Sequence, residues 1–185
     1  MIFFICYFLI FYMHTFCKLA RYAVKKFLED NRIVEVAGSV FPQLKAVKKA
    51  CFVSIHNKID HSLRGCIGTV SPWYESLGDE IVNNAVAAAT EDSRFSPIIS
   101  PYQLKDIYFS VDVLNQPENC EVKDLDPKKY GVIVNDDYGS RGVLLPDLEG
   151  VDTVSQQLQI ACEKAGIDFS KGDYKIQRFT VERYV

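Results

Sequence analysis

Between Leu63 and Thr69 the chain reads Leu-Arg-Gly-Cys-Ile-Gly-Thr, its densest run of residues that could do chemistry. In a strand, successive side chains alternate, so Leu63 and Ile67 fall on one face and Arg64 with Cys66 on the other. A guanidinium beside a thiol favours the thiolate, the nucleophilic and metal-binding form of cysteine. Gly65 and Gly68 remove side chains, so that another backbone or a ligand can come close. This pattern predicts Arg64 as the holder of an anionic group and Cys66 as a nucleophile or transient thiol carrier. Gly65, Gly68 and Thr69 would line the groove. The same residues also fit a purely structural strand, because Cys is among the most buried residue types and a strand Arg commonly pairs with a carboxylate.

Two further stretches combine charge with structural punctuation. Glu91-Asp92-Ser93-Arg94 follows an alanine-rich segment, and its carboxylates could pair with Arg64 while Arg94 meets an anionic ligand. Arg141 precedes the flexible Gly142 at a strand start. Asp92, Arg94 and Arg141 therefore join the candidate groove. A metal site can be tested by register. If the first hairpin loop is Asn57 to Asp60, His56 stands opposite His61 and Cys51 opposite Cys66. The odd spacing between His and Cys on each strand then points the two pairs to opposite faces. That register disfavours a four-ligand zinc site, so no metal is expected, and it leaves the Cys66 face without a histidine to serve as base. The sequence carries no phosphate-loop, dinucleotide-binding, zinc-protease, nucleophile-elbow or iron–sulfur pattern, and no cofactor is predicted.

The elements that must position these residues follow from periodicity. Phe16, Leu19, Ala20, Ala23, Val24, Phe27 and Leu28 give a one-sided helix with Thr15 as its N-cap. Strands are predicted at Ala50 to Ile55 and Leu63 to Val70. A second helix opens at Ser71-Pro72, carries the stripe Leu77, Ile81, Ala85, Ala88 and Ala89, and ends before Asp92. Ile107 to Leu114 alternates as a half-buried strand. Asp136-Asp137-Tyr138-Gly139 turns a second hairpin between Gly131 to Asn135 and Ser140 to Leu145. A third helix runs from about Thr153 to Ala165 and stops at Gly166, and Ile176 to Val185 forms a last strand. Hairpins mixed with three helices imply an α+β fold with a largely antiparallel sheet and flanking helices.

Composition sets the wider bounds. The 185 residues correspond to about one domain, or a domain with a smaller lobe. The net charge of −3 lacks the positive field of a domain that coats nucleic acid, so that role is not expected. Six cysteines without a C-x-x-C pair indicate a reduced, cytoplasmic protein. Residues 1–12 belong to an unbroken apolar run that is too short to span a bilayer and has no basic residue ahead of it. It reads as the product of a start codon placed too early, with Met13 as the alternative start, or else as a short anchor. Membrane association is not expected of the domain itself.

Taken together, Leu63 to Thr69, Ala87-Ala88-Ala89 with Asp92-Ser93-Arg94-Phe95-Ser96-Pro97, and Arg141-Gly142-Val143-Leu144-Leu145-Pro146 ahead of Ala161-Cys162-Glu163-Lys164-Ala165-Gly166 resemble the AMMECR domain family, also called protein A of the AmmeMemoRadiSam system. The resemblance runs from about Met13 to Val185, and residues 1–12 match nothing in it. The chain departs from the family in its longer loop His56 to Ser62 and in Ser93, where the family tends to have proline. The resemblance implies an α+β fold with a larger and a smaller lobe, with the first motif near a groove between them. It also implies a radical SAM enzyme and a Memo-like protein as partners, and brings no established reaction. Two functions follow as expectations. One is a binding component that holds a small anionic or peptide ligand near Leu63 to Gly68. The alternative is a thiol-dependent enzyme using Cys66 with Arg64, or a regulatory adaptor as in eukaryotic relatives.

Overall fold

The computed structural model describes residues 13–36 and 42–185, so the apolar residues 1–12 lie outside the described chain. The helix α1 spans Thr15–Asp30 and buries Cys17, Leu19, Ala20, Ala23 and Val24, the centre of the predicted stripe. Its N-cap is His14 rather than Thr15, with Nδ1 accepting the Phe16 N–H at 3.3 Å. The shift by one residue has a tertiary cause. The His14 ring stacks on Tyr184 at 4.2 Å, and the His14 backbone N–H donates to the Val185 carbonyl at 3.1 Å.

Strands β1 (Cys51–Asn57) and β2 (Leu63–Gly68) form the first hairpin, followed by α2 (Leu77–Thr90) and β3 (Ile107–Leu114). Helix α2 begins at Leu77 under the N-cap Ser76, six residues beyond the predicted opening at Ser71. The delay comes from Glu80, whose carboxylate reaches back to accept the Trp73 and Tyr74 N–H groups and holds them in a loop. The stripe Leu77, Ile81, Ala85, Ala88 and Ala89 is buried as predicted. In β3, by contrast, Ser110 and Asp112 are buried along with the apolar residues, so the strand is covered on both faces.

Next come β4 (Glu118–Asn119), β5 (Gly131–Asn135), β6 (Arg141–Leu144), α3 (Val154–Ala165), β7 (Lys175–Phe179) and β8 (Val181–Tyr184). The second hairpin turns where its sequence says it should. Asp136 Oδ1 accepts the Tyr138 and Ser140 N–H groups, and Gly139 takes φ +93°. Thr153 and Gln156 form a capping box on α3, and Gly166 closes it at φ +69°. The last predicted strand is two strands, β7 and β8, broken at Thr180 and assigned to different sheets. One sheet has the order β2-β1-β3-β8 and the other β4-β7-β5-β6, which makes the fold α+β with two antiparallel sheets. Among the described residues no helix is long and apolar enough to cross a membrane.

The chain divides into two compact units, one of residues up to Val113 with Arg183–Val185, the other Leu114–Glu182. In the first, Val53, Ile55, Phe109 and Val111 join residues of α1 and α2 in one apolar core. In the second, Val132, Val134 and Leu144 pack with Leu158, Ala161 and Cys162 of α3. Each unit sets a hairpin strand under a helix through one glycine. A Cβ at Gly65 would lie 2.2 Å from the Ala88 carbonyl oxygen, and one at Gly142 1.9 Å from that of Ala161. The close approach predicted for Gly65 is therefore made by α2 and leaves no room there for a ligand. A methyl group at position 65 must push helix backbone aside, so Gly65→Ala should cost roughly 1–3 kcal/mol or more and lower the urea midpoint. An unchanged midpoint would contradict this packing.

Candidate functional site

The chemistry of the first unit lies on the face of its sheet opposite the apolar core. β1 pairs with β2 so that Ser54 stands opposite Cys66 and Ile55 opposite Gly65, and His56 then faces Leu63. Arg64 is thus the extra residue of a β-bulge, a device that re-aims side chains. The predicted register is overturned by a slide of three residues, and because three is odd the slide exchanges faces. Cys51 pairs instead with Val113 and is buried in the core. The cause is the connection Lys58 to Ser62. Asp60 Oδ1 accepts the Ser62 N–H at 3.0 Å, Asn57 Nδ2 donates to Ser62 Oγ at 2.7 Å, and His61 takes φ +59°.

The slide brings a histidine to the Cys66 face, where none was expected. Ser54 Oγ donates to Cys66 Sγ at 3.3 Å, and Ser54 stands directly opposite Ser110 of β3. Ser110 Oγ lies 3.2 Å from His56 Nε2, while His56 Nδ1 lies 3.3 Å from the His61 carbonyl oxygen. The His56 ring stacks on Tyr108 at 5.0 Å. Farther along β3, the buried Asp112 accepts from Arg183 of β8, Nε to Oδ1 at 2.7 Å. Ser54, Ser110 and Asp112 were missed by sequence reasoning, and His56 was placed on the opposite face. Their signal was the polar residue at every second position of both strands.

β2 ends its sheet, so alternate backbone groups turn away from β1 toward an open edge. At Cys66 those groups are taken. Asp92 Oδ2 accepts the Cys66 N–H at 2.8 Å, and Arg94 Nη2 donates to the Cys66 carbonyl at 3.3 Å. Arg94 also grips Asp92 bidentately, Nε to Oδ1 at 2.9 Å and Nη2 to Oδ2 at 2.7 Å. The expected pairing of this carboxylate with Arg64 is therefore replaced by one with Arg94. Arg94 holds the Asp92 carboxyl down to about 2, helped by the Cys66 N–H. Burial pushes the Cys66 thiol up, against the pull of the Ser54 hydroxyl and Arg94 and with the push of Asp112 and Asp92. That upward direction favours the thiol over the thiolate expected from Arg64.

Of the remaining candidates, Thr69 Oγ1 donates to the buried Glu80 Oε2 at 2.8 Å, and Gly68 leaves space that the Phe52 ring fills. Glu80 also accepts from Asn84 at 3.3 Å, and Asn84 donates to the Cys51 carbonyl at 3.1 Å, which ties the motif to α2. The Glu80 and Asn84 pair on the buried side of an alanine-rich helix was the signal for this anchor. Arg64 is half-buried and makes no hydrogen bond or ion pair with any described residue. Arg141 belongs to the second unit, exposed on β6 opposite Asn135, and likewise has no partner among the described residues. Among the described residues no three His, Cys, Asp or Glu side chains converge to hold a metal.

Residues 17–184 match the AMMECR1 family profile. A protein of Thermotoga maritima is 48% identical over 172 residues, covering 92% of this chain and 97% of its own. A protein of Clostridium acetobutylicum is 44% identical over 171 residues, and there the chain spans 35% of the relative's length. An uncharacterised protein of Pyrococcus horikoshii has a crystal structure that superposes with a TM-score of 0.81 at 27% identity, covering 91% of this chain and 88% of that one.

The clamp on Cys66 has a pH signature. A carboxyl held below its ordinary 3.8 stabilises the fold above that value and loses its contribution as pH falls toward about 2. Wild type should therefore lose stability across this window faster than Asp92→Asn, which is less stable at neutral pH, as read from urea unfolding at stepped pH. Parallel slopes would contradict the clamp.

Proposed function

The chain belongs to the AMMECR1 family, and from that premise we propose that it is a cytoplasmic binding component which holds a small anionic ligand beside Leu63 to Gly68. Its partners in this reading are a radical SAM enzyme and a Memo-like protein. The observation that carries the reading is Arg64. Arg64 is half-buried as a residue, stands at a bulge and has no carboxylate partner among the described residues, whereas the charge of Arg94 is matched by Asp92. A guanidinium without a carboxylate partner attracts an anion and offers it a bidentate fork. An extended peptide is disfavoured as the ligand, because adding a strand to β2 needs the Cys66 backbone groups that Asp92 and Arg94 already hold.

The thiol-dependent alternative gains one observation in its favour, the presence of His56 on the Cys66 face. The binding reading is tested by titrating inorganic phosphate and succinate while following the amide resonances of Leu63 to Thr69. Saturable shifts are expected. Arg64→Ala should weaken them by about ten- to a hundredfold, the equivalent of one charged hydrogen-bonding group. Arg141→Ala, in the second unit, is a separate arm. No saturable shift in β2, or equal affinity in Arg64→Ala, would overturn the proposal.

A further inference from the structure

The second unit holds a cleft that the proposed binding of an anion beside β2 leaves unused. Its volume is about 550 Å³, within the range of about 300–1,000 Å³ that small-molecule sites occupy. Cys120, Tyr174 and Ile176 line it, and all three pack from outside on the apolar core of the unit. The walls are held by contacts of their own. On one side Asp124 Oδ2 accepts the Glu121 N–H at 3.0 Å, and Arg178 Nη1 donates to the Asp124 carbonyl at 2.7 Å. The Cys120 N–H donates to the Ile176 carbonyl at 3.2 Å, which ties this side to β7. On the other side Tyr174 stacks on Phe169, and its hydroxyl hydrogen-bonds with the buried Cys162. The cleft is therefore formed before a ligand arrives, which lowers the ordering cost of binding.

The charges of the lining fix the class of ligand. Glu121 Oε2 lies 2.6 Å from Lys123 Nζ, and Lys175 Nζ lies 2.6 Å from Asp137 Oδ1, so each charged lining residue already has a counter-charge outside the lining. Arg178, whose charge reaches the Cys120 thiol, is likewise paired, with Glu118 at 2.7 Å. An ionic ligand would lose water on entering and meet no free counter-charge among the described lining residues. One polar donor is left over. Asn119 Oδ1 accepts from Gln177 Nε2 at 3.2 Å, while Asn119 Nδ2 donates to none of the described residues. We propose that this cleft binds a neutral, largely apolar small molecule bearing one hydrogen-bond acceptor, such as a carbonyl. Asn119 Nδ2 meets the acceptor, and the apolar part rests on Cys120, Tyr174 and Ile176. Val122, 53% exposed, forms the rim. The site is separate from Leu63 to Gly68 and stands whether or not an anion binds there.

Benzamide, benzoate and benzylamine carry a neutral, an anionic and a cationic head on one ring. Each is titrated into the full chain while the amide resonances of Cys120, Tyr174 and Ile176 are followed by NMR. Benzamide should give saturable shifts there, and the two ions should bind at least about tenfold more weakly. Asn119→Ala should weaken benzamide about two- to tenfold, the equivalent of one hydrogen bond. Val122→Trp, which puts bulk at the rim, should remove its binding. Both positions are exposed, so the fold is kept, and unchanged amide resonances in β5 check this. No saturable shift, equal affinity for the three probes, or benzamide binding unchanged in either variant overturns the proposal. Shifts of the same amides on concentrating the chain without a probe would mean that a second copy fills the cleft, and would overturn it as well.

Discussion

The Cys66 peptide group is held from both sides, its N–H by Asp92 and its carbonyl by Arg94, and the two side chains hold each other through a bidentate ion pair. Charge-assisted hydrogen bonds of this kind contribute about 1.5–3 kcal/mol each. Their larger effect is geometric. Asp92 and Arg94 follow the C-terminal end of α2, so the clamp ties that end to the middle of β2, an edge strand that would otherwise present open backbone groups. With β2 fixed there, Gly65 lies under the Ala88 carbonyl and Cys66 faces Ser54. One contact thus sets both the packing on the core side and the chemistry on the polar side.

The second unit repeats the hairpin and helix without this chemistry. Gly142 lies under Ala161 as Gly65 lies under Ala88, and Arg141 precedes it as Arg64 precedes Gly65. Its edge strand β6 is covered differently, with Lys164 Nζ donating to the Val143 carbonyl at 2.9 Å. Where the first unit has Cys66 two residues beyond its arginine, the second has Val143. The shared arrangement is a solution to packing a helix closely on a strand. The thiol, the clamp and the serines are what the first unit adds to it.

Local signals in the sequence were read well because their physics is local. The Thr153 to Gly166 helix carries its own caps, and the Asp136 to Gly139 turn its own hydrogen bonds. The candidate motif was also legible, with Arg64 and Cys66 in one strand and Asp92 with Arg94 beyond the helix. Contacts between distant segments were not. The bulge at Arg64 and the long turn after Asn57 moved the register by three residues, which hid the histidine and both serines of the Cys66 face. Glu80 delayed α2 by binding residues before it, and Tyr184 moved the cap of α1 by one. Which arginine would meet Asp92 depended on the bulge as well, since it leaves Arg64 unpaired and Arg94 at the clamp.

The most direct test of the account is amide hydrogen exchange at Cys66, followed by NMR at neutral pH. An N–H that points off an edge strand exchanges quickly unless something accepts it. The account predicts that Cys66 is protected like the amides within the β1 and β3 pairing, and that Asp92→Asn removes much of that protection while the core amides of β1 keep theirs. Rapid exchange at Cys66 in the wild type would mean that the carboxylate does not hold the strand, and the clamp on which the site depends would be wrong.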